Sequence, residues 1–130
     1  MTKRRSRKNV SSRRTGRVLD LHGDTARQAR AKILNAVETA QPPEAILCIH
    51  GYGSSGQGGG LGQAIRKFAH DRLLQNGSIR GYVYCEDLTN PTEMDNPYYK
   101  PNIDLYHEYL ETHPGLANYA GNDGVTILML

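Results

Sequence analysis

The chain has 130 residues and no tryptophan, enough for one hydrophobic core and too few for two. No apolar run approaches the roughly 18 residues of a membrane span, and the basic N-terminal stretch lacks the apolar centre of a secretion signal, so a cytoplasmic α/β domain is expected. The net charge of +3 is uneven: residues 1–17 hold eight of the 16 basic residues and no acid, leaving eight basic against 13 acidic residues in the rest.

Residues 1–16 read as a basic, disordered arm carrying Lys3, Arg4, Arg5, Arg7, Lys8, Arg13 and Arg14. Such arms bind phosphate backbones by releasing condensed counterions. A solvated end with no partner fits the composition equally well. Residues 17–130 read as a single domain.

The domain opens on "RVLDLHG" (17–23), a short strand by its alternation, with Leu19 and Leu21 on one side and Asp20 and His22 on the other. Thr25 and Gln28 have the spacing of a capping box, and Ala26, Ala29, Ile33, Val37 and Ala40 give the following helix one apolar face. Pro42 and Pro43 stop it. "AILCIHG" (45–51) is the second strand and leads into a glycine-rich run ending at Gly62. Leu61, Ala64, Ile65, Phe68, Ala69 and Leu73 mark a second amphipathic helix closed by Asn76–Gly77. "SIRGYVYCE" (78–86) and "GVTILML" (124–130) read as the last two strands. The connection between them, about 87–120, is too long for an ordinary loop and reads as an insertion that packs on the domain, with a short helix at about 104–112. Residues 82–119 hold seven of the eight tyrosines and seven acids against Lys100 alone. Cys48 and Cys85, both in apolar runs, are expected as buried free thiols.

"LDLHG" and "LCIHG" echo each other at a spacing of 28 residues, about one βαβ unit. Strands joined by such a crossover run parallel and usually lie side by side. Their carboxyl ends, and with them His22 and His50, are then expected at one edge of the sheet, where open α/β sheets bind ligands. Asp20, two residues before His22, shares its face. The glycines explain themselves in the same way. A glycine loop between strand and helix offers backbone N–H groups and the positive end of a helix dipole to an anion, above all a phosphate. Gly51, Gly53, Gly56 and Gly58 are the candidate contacts. Gly51-Tyr52-Gly53-Ser54-Ser55-Gly56 spells a dinucleotide fingerprint, but the helix starts too late and the acidic residue at the required distance, Asp71, lies on a helix. No Lys-Ser/Thr pair follows the glycines, and no G-x-S-x-G elbow occurs.

With Leu19-Asp20-Leu21-His22-Gly23, His50-Gly51-Tyr52-Gly53, Leu61 opening the second helix and the closing "GVTILML", the chain resembles the small MutS-related (Smr) domain. The resemblance implies a two-layer βαβαββ sandwich, a mixed four-stranded sheet with two helices on one face, similar to the C-terminal domain of translation initiation factor three. It also implies nucleic-acid binding and endonuclease activity on RNA or DNA, with the D-x-H pair falling on Asp20 and His22 and the H-G-x-G motif on His50, Gly51 and Gly53. The glycine loop and the insertion are longer than that pattern. In such a site one histidine takes a proton from water or a ribose 2′-hydroxyl and the other protonates the leaving oxygen. Asp20 orients an imidazole or holds a divalent cation such as Mg2+. A non-catalytic module that binds nucleic acid or the ribosome is the alternative. His70, His107 and His113 are expected to be structural.

Overall fold

The computed structural model describes residues 16–51 and 59–130. Four strands, β1 (Arg17–Asp20), β2 (Ala45–Ile49), β3 (Gly81–Tyr84) and β4 (Val125–Met129), form one mixed sheet in the order β1-β2-β4-β3. β1 and β2 are parallel, and β4 runs antiparallel to both of its neighbours, β2 and β3. The crossover from β1 to β2 is α1 (Ala26–Thr39). Its N-terminus is closed by the reciprocal Thr25–Gln28 capping box, with bonds of 2.9 and 3.1 Å. α2 (Gly59–Phe68) follows the glycine loop and continues into one wider, π-helical stretch at Ala69–Leu74.

Register and alternation sort the side chains into two faces. Leu19, Cys48, Thr126, Leu128, Tyr82 and Tyr84 share the face against which α1 and α2 pack. Arg17 on that face reaches Thr39 Oγ1 of α1 at 2.7 Å, and Arg66 of α2 reaches Thr126 Oγ1 at 2.9 Å. α1 presents Ala29, Ile33 and Ala36 to this core, and burying one side chain of the size of Ile33 contributes about 1.5–3 kcal/mol.

The connection from β3 to β4 covers part of the opposite face. It comprises a 3-10 segment (Cys85–Thr89), a short helix α3 (Pro91–Met94), α4 (Lys100–Leu110) and a second 3-10 segment (Pro114–Tyr119). α4 lies so close to β3 that a β-carbon on Gly81 would meet Asn102 Oδ1 at 2.7 Å and Leu105 Cδ2 at 2.9 Å. Leu47, Val83 and Ile127 are fully buried on this side, whereas Val18 on β1 is 46% exposed. Helices thus flank both faces at the β3–β4 end and only one face at β1. The helix expected at about 104–112 begins earlier, at Lys100, because Pro101 occupies its first turn, where no N–H is needed. β3 is shorter than the expected 78–86, since Cys85 and Glu86 already turn into the 3-10 segment.

β3 is an edge strand, and the connection satisfies its outward donors. The Tyr82 N–H donates to Asn102 Oδ1 at 3.0 Å and the Tyr84 N–H to the Tyr99 hydroxyl at 2.7 Å. That hydroxyl is in turn hydrogen-bonded to the Asp87 carboxylate, itself raised in pKa chiefly by burial. Cys48 and Cys85 are free and buried, and burial pushes each thiol up to about 12.

Tyr99→Phe deletes the acceptor of the Tyr84 N–H and the partner of Asp87 while keeping the ring. A cost of about 1–3 kcal/mol is expected, read as a lower urea midpoint at unchanged m-value.

Candidate functional site

The carboxyl ends of β1, β2 and β3 and the start of β4 meet at one edge of the sheet. Here β1 runs out at Asp20. The Leu21 N–H still bonds the Ile49 carbonyl at 2.8 Å, and Leu21 is buried, so the chain turns outward only at His22. Asp20 and His22 are both exposed. Asp20 Oδ1 accepts the His22 backbone N–H at 3.2 Å, so Asp20 orients His22 through the main chain rather than through the ring.

Gly51 is the hinge of the site. It has φ +82°, a conformation that penalises any β-carbon, and its pro-β position lies 3.6 Å from His22 Cδ2. Its peptide is held from two sides. The Gly124 carbonyl accepts both the His50 N–H at 2.9 Å and the Gly51 N–H at 3.1 Å, while the Gly51 carbonyl meets His50 Nδ1 at 3.1 Å. The Gly51 N–H is thus already bonded to the Gly124 carbonyl. Gly53, Gly56 and Gly58 lie outside the described residues, as do Lys3, Arg4, Arg5, Arg7, Lys8, Arg13 and Arg14.

His50 behaves differently from His22. His50 bonds the Gly51 carbonyl and His22 lies beside the Gly51 α-carbon, which keeps the rings within roughly 10 Å of each other. Yet His50 turns toward α2 and is only 6% exposed. Its Nε2 pairs with Thr126 Oγ1 at 3.0 Å, and Thr126 Oγ1 also accepts the Arg66 Nε–H at 2.9 Å. The neighbours assign the tautomer. A carbonyl facing Nδ1 requires a proton there, which leaves the Nε2 lone pair to accept the Thr126 hydroxyl. Burial, and secondarily the Arg66 charge, lower the His50 pKa from its ordinary value, while the Gly51 carbonyl works against this shift. The ring is therefore neutral near pH 7 and hydrogen-bonded at both nitrogens, while His22 stands exposed. His50 fixes the loop entrance. Gly62 makes room for it, since a β-carbon there would sit 2.8 Å from His50 Nδ1.

Sequence reasoning missed the rest of this chain of contacts. Arg66 forms a bidentate pair with Glu86, both bonds at 2.7 Å, and its guanidinium lies 4.2 Å from the centroid of the Tyr84 ring. One signal was available: Thr126 is a polar residue in the middle of an otherwise apolar strand. Arg66 gave none, because a basic residue at that helix position reads as solvated. Among the described residues no three His, Cys, Asp or Glu side chains gather into a set that could hold a metal ion. Asp20 offers a single carboxylate, which could join substrate phosphates and water in holding Mg2+ but forms no protein cage for it. His70 hydrogen-bonds the Tyr82 hydroxyl at 3.0 Å, and His113 is buried beside the Tyr109 ring.

The His50 shift has a stability consequence of definite sign. With its folded pKa below the ordinary 6.5, the unfolded chain binds a proton that the folded chain does not. The stabilisation is complete above about pH 6.5 and is lost as pH falls from there toward the folded pKa. Denaturant titrations between about pH 7.5 and about pH 5 should show a steeper loss for the parent than for His50→Gln, which has no proton to bind. Parallel curves would place the ring in solvent.

Among the described residues no helix is long and apolar enough to cross a membrane. Comparison of the chain with protein-family models, with curated proteins and with solved structures found no match, so the meaning of the site rests on its own residues.

Proposed function

We propose that this chain is a nucleic-acid-binding endonuclease of the Smr type, cleaving or nicking phosphodiester bonds. On this reading its frame is the βαβαββ sandwich seen in the C-terminal domain of translation initiation factor three, elaborated by the insertion. The observation that carries the proposal is the exposed Asp20–His22 pair at the carboxyl end of a parallel strand, against the positive-φ Gly51 that opens the glycine loop.

In this mechanism His22 is the proton-transfer group. Exposed and near its partner loop, an imidazole takes a proton from water or a ribose 2′-hydroxyl, or delivers one to the leaving oxygen. Asp20 fixes the backbone from which the ring projects and places a carboxylate beside the reacting groups. His50, Thr126 and Arg66 act as positioning residues that hold the Gly51 peptide. The basic arm contributes affinity without sequence preference. The commitment of both His50 nitrogens favours a second reading, a nucleic-acid- or ribosome-binding module without chemistry, since it leaves one histidine rather than two for acid–base work.

The deciding experiment is a cleavage assay on single-stranded RNA, duplex DNA and supercoiled plasmid, with and without Mg2+. Asp20→Asn and His22→Ala alter exposed side chains, so both variants should melt close to the parent. Each should lose about 10²- to 10⁴-fold in cleavage rate while still binding. Folded variants that cleave at the parent rate would refute the assignment. A parent that binds but cleaves nothing would establish the binding module.

A further inference from the structure

Away from the strand-end site, α1 and α2 enclose a groove of about 440 Å³ lined by Arg30, Ala64, Lys67, Phe68, Asp71 and Arg72. Three cations and one acid converge on it. Lys67 and Asp71 already pair across one helical turn at 2.7 Å, both exposed. Arg30 and Arg72 have no ion-pair partner among the described residues. Both guanidinium groups belong to residues that line the groove, and their planar forks match phosphate oxygens.

The rest of the domain says which kind of anion fits. α1 and α2 with its π-helical continuation carry Arg27, Arg30, Lys32, Arg66, Lys67 and Arg72 against Glu38 and Asp71. The connection between β3 and β4 is the reverse, with acids throughout and Lys100 as its one basic residue. The charge of the described residues is thus segregated, positive on the helical layer and negative on the insertion. A small phosphate compound would sense only the groove. An extended polyanion senses both regions, drawn along one and turned away from the other.

We propose that the α1–α2 groove is a second contact for the sugar–phosphate backbone of a nucleic acid, with Arg30 and Arg72 as its phosphate ligands. The proposal rests on the nucleic-acid reading above and adds the path of the strand. Arg30 lies one turn, roughly 6 Å, into α1, which begins four residues after His22.

The test uses the full chain and fluorescence anisotropy with labelled single-stranded RNA and duplex DNA, titrated between about 50 and 200 mM salt. Arg30→Gln/Arg72→Gln should lower the slope of log affinity against log salt by roughly 1–2 and weaken binding severalfold. Arg80→Gln/Lys100→Gln removes the same charge on the acidic side and should leave the slope unchanged. Asp71→Asn, which removes the groove's acid and releases Lys67, should strengthen binding. Lys67→Gln/Arg72→Gln, on exposed side chains, repeats the test if the half-buried Arg30 proves necessary for folding. Equal losses in the groove and control variants would overturn the proposal. So would sedimentation showing self-association that depends on Arg30 and Arg72 while nucleic-acid affinity is unaffected. Binding by the parent with no change in the groove variants would refute the groove alone. Failure of the parent to bind either nucleic acid would refute the functional reading along with it.

Discussion

A neutral imidazole under α2 organises this domain. His50, the residue after β2, points into the helical layer, and its two nitrogens add side-chain links to a junction whose backbone already bonds the Gly124 carbonyl. Through Nδ1 it holds the loop entrance, and through Nε2 it holds Thr126 on β4. Thr126 passes the connection to Arg66 on α2, and Arg66 passes it to Glu86 after β3. A buried polar chain of this kind is favourable only when every member is satisfied, because a missing partner in low dielectric costs more than a bond contributes. The ring must therefore stay uncharged, and each neighbour must keep its place for the ring to do so.

That requirement explains the division of labour at the sheet edge. Two histidines close two parallel strands in matching sequence contexts, yet only His22 is exposed. One strand end is spent on architecture and the other is left for solvent. Gly51 sits between them, held by the Gly124 carbonyl on one side and open toward His22 on the other. Its left-handed backbone accompanies this double constraint at the point where the glycine run begins.

The parts of the fold that were legible in the sequence are those written in local signals. Thr25 and Gln28 announced α1, its apolar face announced the layer it joins, and the 28-residue echo announced a parallel pair. The start of α4 was not legible, since Pro101 stands in its first turn, where proline is tolerated. The orientation of His50 was not legible for a physical reason. "AILCI" is apolar on both sides because the insertion covers part of the second face, so alternation could not say which side His50 would take. The Arg66–Glu86 pair was equally hidden, being a contact across 20 residues between a helix and a strand end. Of the candidate site, the exposed Asp20–His22 pair follows from β1 alternation, which survives because nothing packs on the outer side of that strand.

The seals that Asn102 and Tyr99 place on β3 bear on how this chain tolerates shortening. A βαβ-built sheet of this size needs only a brief turn between its third and fourth strands, so the long connection looks dispensable on topology alone. Removing it would bare two main-chain donors and the apolar Leu47–Ile127–Val83 surface together. A bare edge beside a bare apolar face is a template for cross-chain strand addition, the first step toward ordered aggregates. The insertion is in this sense a fitted cover, and only a replacement that supplied both an acceptor row and an apolar lining would keep the edge closed to a second chain.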